Sequence, residues 1–183
     1  GHSSLLERIE RREFHGIDMP VLSPVDLFLG QGLHAYKHVC SEFSRTAHLL
    51  EFCRHVLGRR DDDTFWDKLR STAEENPMAS LGLGVVTLLI TRVWDDFAPE
   101  EFTNWTVDRL PRSVRLWVEL YGRRAVFENF PGSKLYLLLQ RGLESAGVPA
   151  KRSLQQTLLP MRLPPAVIRA SADETLRVRI RRY

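Results

Sequence analysis

Apolar residues recur at helical spacing along most of this chain, and the breaks between runs fall at capping residues, prolines and glycines. The run that organises the rest begins at Ser23-Pro24-Val25-Asp26. Serine caps a helix, proline suits its first position because an N–H there has no partner to lose, and an acid in the first turn meets the positive end of the helix dipole. Leu27, Phe28, Leu33, Tyr36 and Val39 then mark an apolar face. One helix from Pro24 to Leu57 would be unusually long for a compact domain, so a break is expected over Cys40 to Ser44. A second helix then carries Ala47, Leu49, Leu50, Phe52, Cys53 and Val56 and stops at Gly58, since glycine readily takes the left-handed turn that ends a helix.

The remaining pattern is also helical. Residues 4–14 place Leu5, Leu6 and Ile9 on one face of a short amphipathic helix, and His15 to Met19 read as a connector. Asp61, Asp62 and Asp63 lie in a charged loop. Consecutive carboxylates point in different directions, so a cap at Asp63 or Thr64 explains them better than a metal does. Pro77 opens the most apolar segment, ending near Trp94, which its composition marks as the buried central helix. Gly82 and Gly84 within it are expected to allow close helix packing, because a lone Gly-Leu-Gly is too little for a nucleotide loop. Further helices are expected from Pro99, from Pro111 and from a Ser133 cap, the last ending at Gly147-Val148-Pro149. The fold class that follows is mainly α, a bundle of seven or eight helices over residues 4–149.

Beyond residue 149 the texture changes. Pro160, Pro164 and Pro165 interrupt any long helix, and the final Leu176, Val178 and Ile180 alternate with Arg177, Arg179 and Arg181. That period of two is a strand signature, but an isolated strand is unstable in water, so residues 150–183 read as a short strand awaiting a partner or as a basic tail. Charge sharpens the division. From Arg141 onward there are nine Lys/Arg against three Asp/Glu, while the preceding residues hold 17 against 20. A basic segment on a slightly acidic body suits nucleic acid, a phosphorylated ligand or an acidic partner surface, and equally suits plain solvation.

Composition excludes several classes. At 43% hydrophobic and 27% charged residues, the chain matches an ordinary globular domain. Leu81 to Ile90 is the longest apolar run, too short to span a bilayer, so no membrane association is expected. The two cysteines, Cys40 and Cys53, would stand roughly 20 Å apart on one helix, too far to bridge. Reduced thiols point to a cytoplasmic protein. Gly1-His2-Ser3 resembles a tag remnant.

Candidate chemistry centres on His34-Ala35-Tyr36-Lys37-His38. His34 and His38 are four residues apart and share a helix face, with Lys37 beside them. Together with Arg45 they form a candidate substrate-binding set for a phosphate, lysine acting as a point charge and arginine as a fork. The same pair has the spacing of two metal ligands. Alanine follows His34 where a zinc protease would have glutamate, Lys37 opposes a cation, and spacing alone shows no third ligand, although Glu42, His48, Glu51 or Cys53 could fold back to supply one. No metal site and no catalytic residue is therefore assigned. Cys40 and Cys53 read as inert thiols, and the arginines of the C-terminal segment lack the interleaved aromatics that would stack on nucleic acid.

Leu22-Ser23-Pro24 followed by Asp26-Leu27 and then His34-x-x-Lys37-His38 resembles the helical C-terminal half of a family of uncharacterised bacterial nucleotidyltransferases of the polymerase-β type, over about residues 15–95. The resemblance implies an upstream catalytic domain whose Gly-Ser turn and Asp-x-Asp pair bind divalent ions. Neither motif occurs here in that order, since Gly132-Ser133 opens a helix. The implied function is that of a truncated, non-catalytic helical module contacting nucleotide or substrate through His34, Lys37 and His38. Mg2+ and a nucleoside triphosphate are then expected only with the catalytic domain, which would be its partner, and no cofactor in this chain. Whether the whole protein is an enzyme stays open. The alternative is an interaction module that binds a protein or RNA through the basic C-terminal segment.

Overall fold

The computed structural model describes residues 8–41, 46–127 and 135–149. Among them the fold is mainly α: seven helices and a two-stranded hairpin. Strands β1 (Glu10–Phe14) and β2 (Ile17–Val21) pair antiparallel, with Phe14 opposite Ile17 and Glu10 opposite Val21. Over residues 10–14 this corrects the helix expected from residue 4, whose first part lies outside the described residues, and it corrects the connector after it. His15 and Gly16 both take positive φ, 50° and 79°, which is the two-residue turn whose twist matches a hairpin. The His-Gly pair between Phe14 and Ile17 was the local signal for this turn.

The helices are α1 (Pro24–Val39), α2 (Thr46–Leu57), α3 (Asp63–Glu74), α4 (Pro77–Trp94), α5 (Glu100–Thr106), α6 (Arg112–Phe127) and α7 (Leu135–Glu144). Caps are where the sequence placed them, with one shift. The Ser23 hydroxyl accepts from the Asp26 N–H at 3.1 Å and donates to its carboxylate at 2.6 Å. At α3 the cap is Asp62, which accepts from the Phe65 N–H at 3.0 Å. The acidic loop thus serves a helix end, one residue earlier than expected. The Ser133 cap and all of residues 150–183 lie outside the described residues.

Helix α4 is the axis of the bundle and packs against α1, α2, α3, α5 and α6. Its Leu83, Val85, Val86, Leu89 and Ile90 are fully buried. Both glycines work as close-packing positions. A Cβ on Gly84 would stand 2.5 Å from the backbone carbonyl oxygen of Thr106, and one on Gly82 would press on Leu33 and Tyr36 of α1. Beside α4, an aromatic cluster of Phe28, Phe52, Phe65, Trp66 and Phe102 ties α1, α2, α3 and α5 together, with ring centroids 4.9–6.1 Å apart. Edge-on and tilted rings at such distances gain beyond the area they bury. No helix among the described residues is long and apolar enough to cross a membrane.

Two contacts hold α1, the helix that carries the histidines. At its N-terminus the buried Asp26 carboxylate is gripped by the Arg8 guanidinium, with Nη2 at 2.9 Å and Nε at 3.2 Å. At its other end the Gln140 side chain of α7 donates to the Cys40 carbonyl at 3.0 Å.

Candidate functional site

The break between α1 and α2 lets the second helix fold back on the first. Leu49, Phe52 and Val56 point into the core, so residues 48, 51 and 55, each one position before them, share one flank of the helix, and His48 and Glu51 on it face α1. His48 in the first turn of α2 thereby meets His34 and His38. The ring centroids of His34 lie 4.6 Å from those of both His38 and His48, and His38 and His48 stack at 4.5 Å. One nitrogen from each of the three rings lies within 4.8 Å of the other two. His34 is exposed and the other two are half-buried.

Two of the three, His34 and His48, line a cleft of about 350 Å3 together with Leu22, Leu27, Gly30, Gln31 and Glu51. Two polar groups in it bear on its chemistry. Glu51 Oε2 stands 3.6 Å from His48 Nδ1, and the Gln31 side-chain oxygen is buried without a hydrogen-bond partner among the described residues. A carboxylate beside an imidazole favours the proton on the near nitrogen and leaves the far one as a lone-pair donor.

Glu51 also lines a second cleft of about 330 Å3, shared with Arg54, His55 and Arg59. Burial pushes His55 below its ordinary value, and the positive charges of Arg59 and Arg54 push it the same way, against a weaker opposite effect of Glu51. This corner of α2 therefore carries net positive potential. Arg59 is held in place, its guanidinium 4.9 Å above the Phe65 ring and 3.4 Å from His55 Nδ1. Arg54 and His55 also meet the negative end of the α2 dipole.

Of the residues singled out from the sequence, the structure brings His34 and His38 together as the helical spacing required. Lys37 is exposed and lines neither cleft. Arg45 and Glu42 lie outside the described residues. His48, Gln31, Arg54 and Arg59 were not assigned from the sequence. The signal for His48 was only its place on the flank of a helix returning after a break. Cys40 and Cys53 are not joined in a disulfide, and burial pushes the Cys53 thiol up, away from reactivity.

No protein-family model matches this chain, nor does any curated protein or solved structure. The functional reading therefore stands on the site itself and on the resemblance at α1.

Proposed function

We propose that this chain is a helical, non-catalytic module of a nucleotidyltransferase-like protein, and that it contacts the phosphates of a nucleotide or phosphorylated substrate along the flank of α2. The observation that carries the ligand class is the Arg54–His55–Arg59 cleft adjoining the histidine cluster, with Glu51 as the shared wall. Fixed guanidinium groups recognise phosphate by paired charge-assisted hydrogen bonds, and Arg59 is held ready by its stacking on Phe65. The Ser23-Pro24 start and the His34-x-x-Lys37-His38 element support the nucleotidyltransferase assignment. On this reading the phosphate site shifts from the Lys37 and Arg45 expected from sequence to Arg54 and Arg59.

The test is a titration of the full chain with inorganic phosphate and with ATP, followed through the imidazole resonances. A bound phosphate offsets the arginine charges, so His55 should titrate at higher pH with ligand than without. Arg54→Gln, at an exposed position that leaves the core intact, should reduce that shift. If neither ligand moves His55 at millimolar concentration, the phosphate reading is wrong.

A further inference from the structure

We infer that His34, His38 and His48 form a three-histidine site for a divalent transition-metal ion, Zn2+ by its ligand chemistry, with a fourth position open to the cleft. The inference goes beyond the phosphate reading and does not depend on it, because it stands on the histidines alone.

Convergence is the first argument. Two ligands come from one face of α1 at the i, i+4 spacing and the third from the start of α2, with their nitrogens within 4.8 Å of one another. Zinc–nitrogen bonds of 2.0–2.1 Å in a tetrahedron place ligand nitrogens ~3.4 Å apart. Closing that gap requires the imidazoles to rotate about their side-chain bonds, turning the stacked His38 and His48 rings so that both face one ion.

Donor chemistry is the second. Three imidazole rings with centroids 4.5–4.6 Å apart gather three nitrogen donors around one small space, a set suited to a single transition-metal cation. His48 supplies the third ligand that helical spacing alone did not show, and Lys37 is exposed to solvent. An all-nitrogen set favours zinc, copper, nickel or cobalt over magnesium and calcium, which prefer oxygen.

The surroundings supply the third. Glu51 beside His48 Nδ1 is placed as the outer carboxylate that orients ligand imidazoles in metal sites. The unpartnered Gln31 oxygen in the same cleft can accept from a metal-bound water. Because His34 is exposed and the cleft is open, the fourth position is reachable by water or by an exchangeable anion. Three protein nitrogens with one open position is the ligand set of reactive or ligand-exchanging zinc, whereas purely structural zinc closes all four.

The experiment is Zn2+ titration of the full metal-free chain by calorimetry, with Co2+ absorption as a check on coordination. The expected result is saturable binding of one ion per chain, a tetrahedral Co2+ spectrum, and a rise in Tm as the ion ties α1 to α2. His48→Ala and His34→Ala should each weaken binding by more than about tenfold. His34 is exposed, so its variant keeps the fold even if the His48 variant loses some stability. His2→Ala and His15→Ala should leave binding unchanged. Absence of one-to-one binding, or an affinity indifferent to both His34→Ala and His48→Ala, overturns the site. Inorganic phosphate added to the metal-free chain separates the two readings: one-to-one zinc binding with His55 unmoved by phosphate keeps the metal site and removes the phosphate one.

Discussion

The Arg8–Asp26 pair can be tested sharply because its two partners are buried to different depths. The Asp26 side chain is 3% exposed and that of Arg8 is 28% exposed. Removing one member of a buried pair costs about 3–5 kcal/mol when the stranded charge cannot rehydrate. Arg8→Ala strands a carboxylate that keeps only the Ser23 hydroxyl and the helix N-terminus, so the loss should be about 3 kcal/mol. Asp26→Ala strands a guanidinium that can reach water and has Glu75 3.5 Å away. Its loss should be nearer 2 kcal/mol, the value of charged hydrogen bonds given up. The ordering, Arg8→Ala worse than Asp26→Ala, follows from depth and not from the contact distance the two variants share.

The pH dependence gives a second handle on the same pair. Burial alone would push the Asp26 carboxyl up, but hydrogen bonds from Arg8 and Ser23 and the Arg8 charge outweigh it and hold it below its ordinary value. A carboxyl lowered on folding stabilises fully above its unfolded pKa, about 4, and that share is lost as pH falls through the folded value. In Arg8→Ala burial is no longer outweighed by the arginine, so acidification should relieve the stranded charge and shrink the difference from wild type below about pH 4. Urea unfolding followed by tryptophan fluorescence at pH 7 and pH 3 measures both effects. A loss in Arg8→Ala no larger than in Asp26→Ala, or one that does not shrink in acid, would refute the reasoning.

Four further outcomes are expected. Gly84→Ala should destabilise by about 1–2 kcal/mol, since overpacking against Thr106 backbone exceeds the gain in helix propensity. Gly30→Ala, where a Cβ meets nothing within 4 Å, should instead stabilise by up to about 1 kcal/mol; thermal melts of the two variants suffice. Phe28→Ala, at the centre of the aromatic cluster, should cost about 3–5 kcal/mol in chemical denaturation, with larger loss of near-ultraviolet circular dichroism than of helix content. Cys53 should react with a thiol reagent near pH 8 well below the rate of the same thiol in urea, because burial holds its proton; equal rates would show the site is open.

Much of the fold was legible because its signals are local. Ser23-Pro24, Asn76-Pro77 and Pro99 with Glu100 each mark a helix start through backbone groups within one turn. The apolar stretch after Pro77 marked the central helix through composition alone. The hairpin was the exception. A two-residue turn at His15-Gly16 decides it over Glu10–Val21, and a reading by helical periodicity does not register such a turn.

The site divides in the same way. Sequence by itself determined that His34 and His38 share a face, because helical geometry fixes neighbours four residues apart. It also determined that α4 is buried, because no polar face was available to meet water. Only the tertiary structure decided that His48 joins the pair, that Glu51 and Gln31 flank it, and that Lys37 lines neither cleft. Those facts depend on how α2 returns across the break after Cys40. The return angle is set by Leu49, Phe52 and Val56 seating in the core, and Phe52 does so against Phe28. Such packing is non-local, so no window of sequence around the histidines contains it.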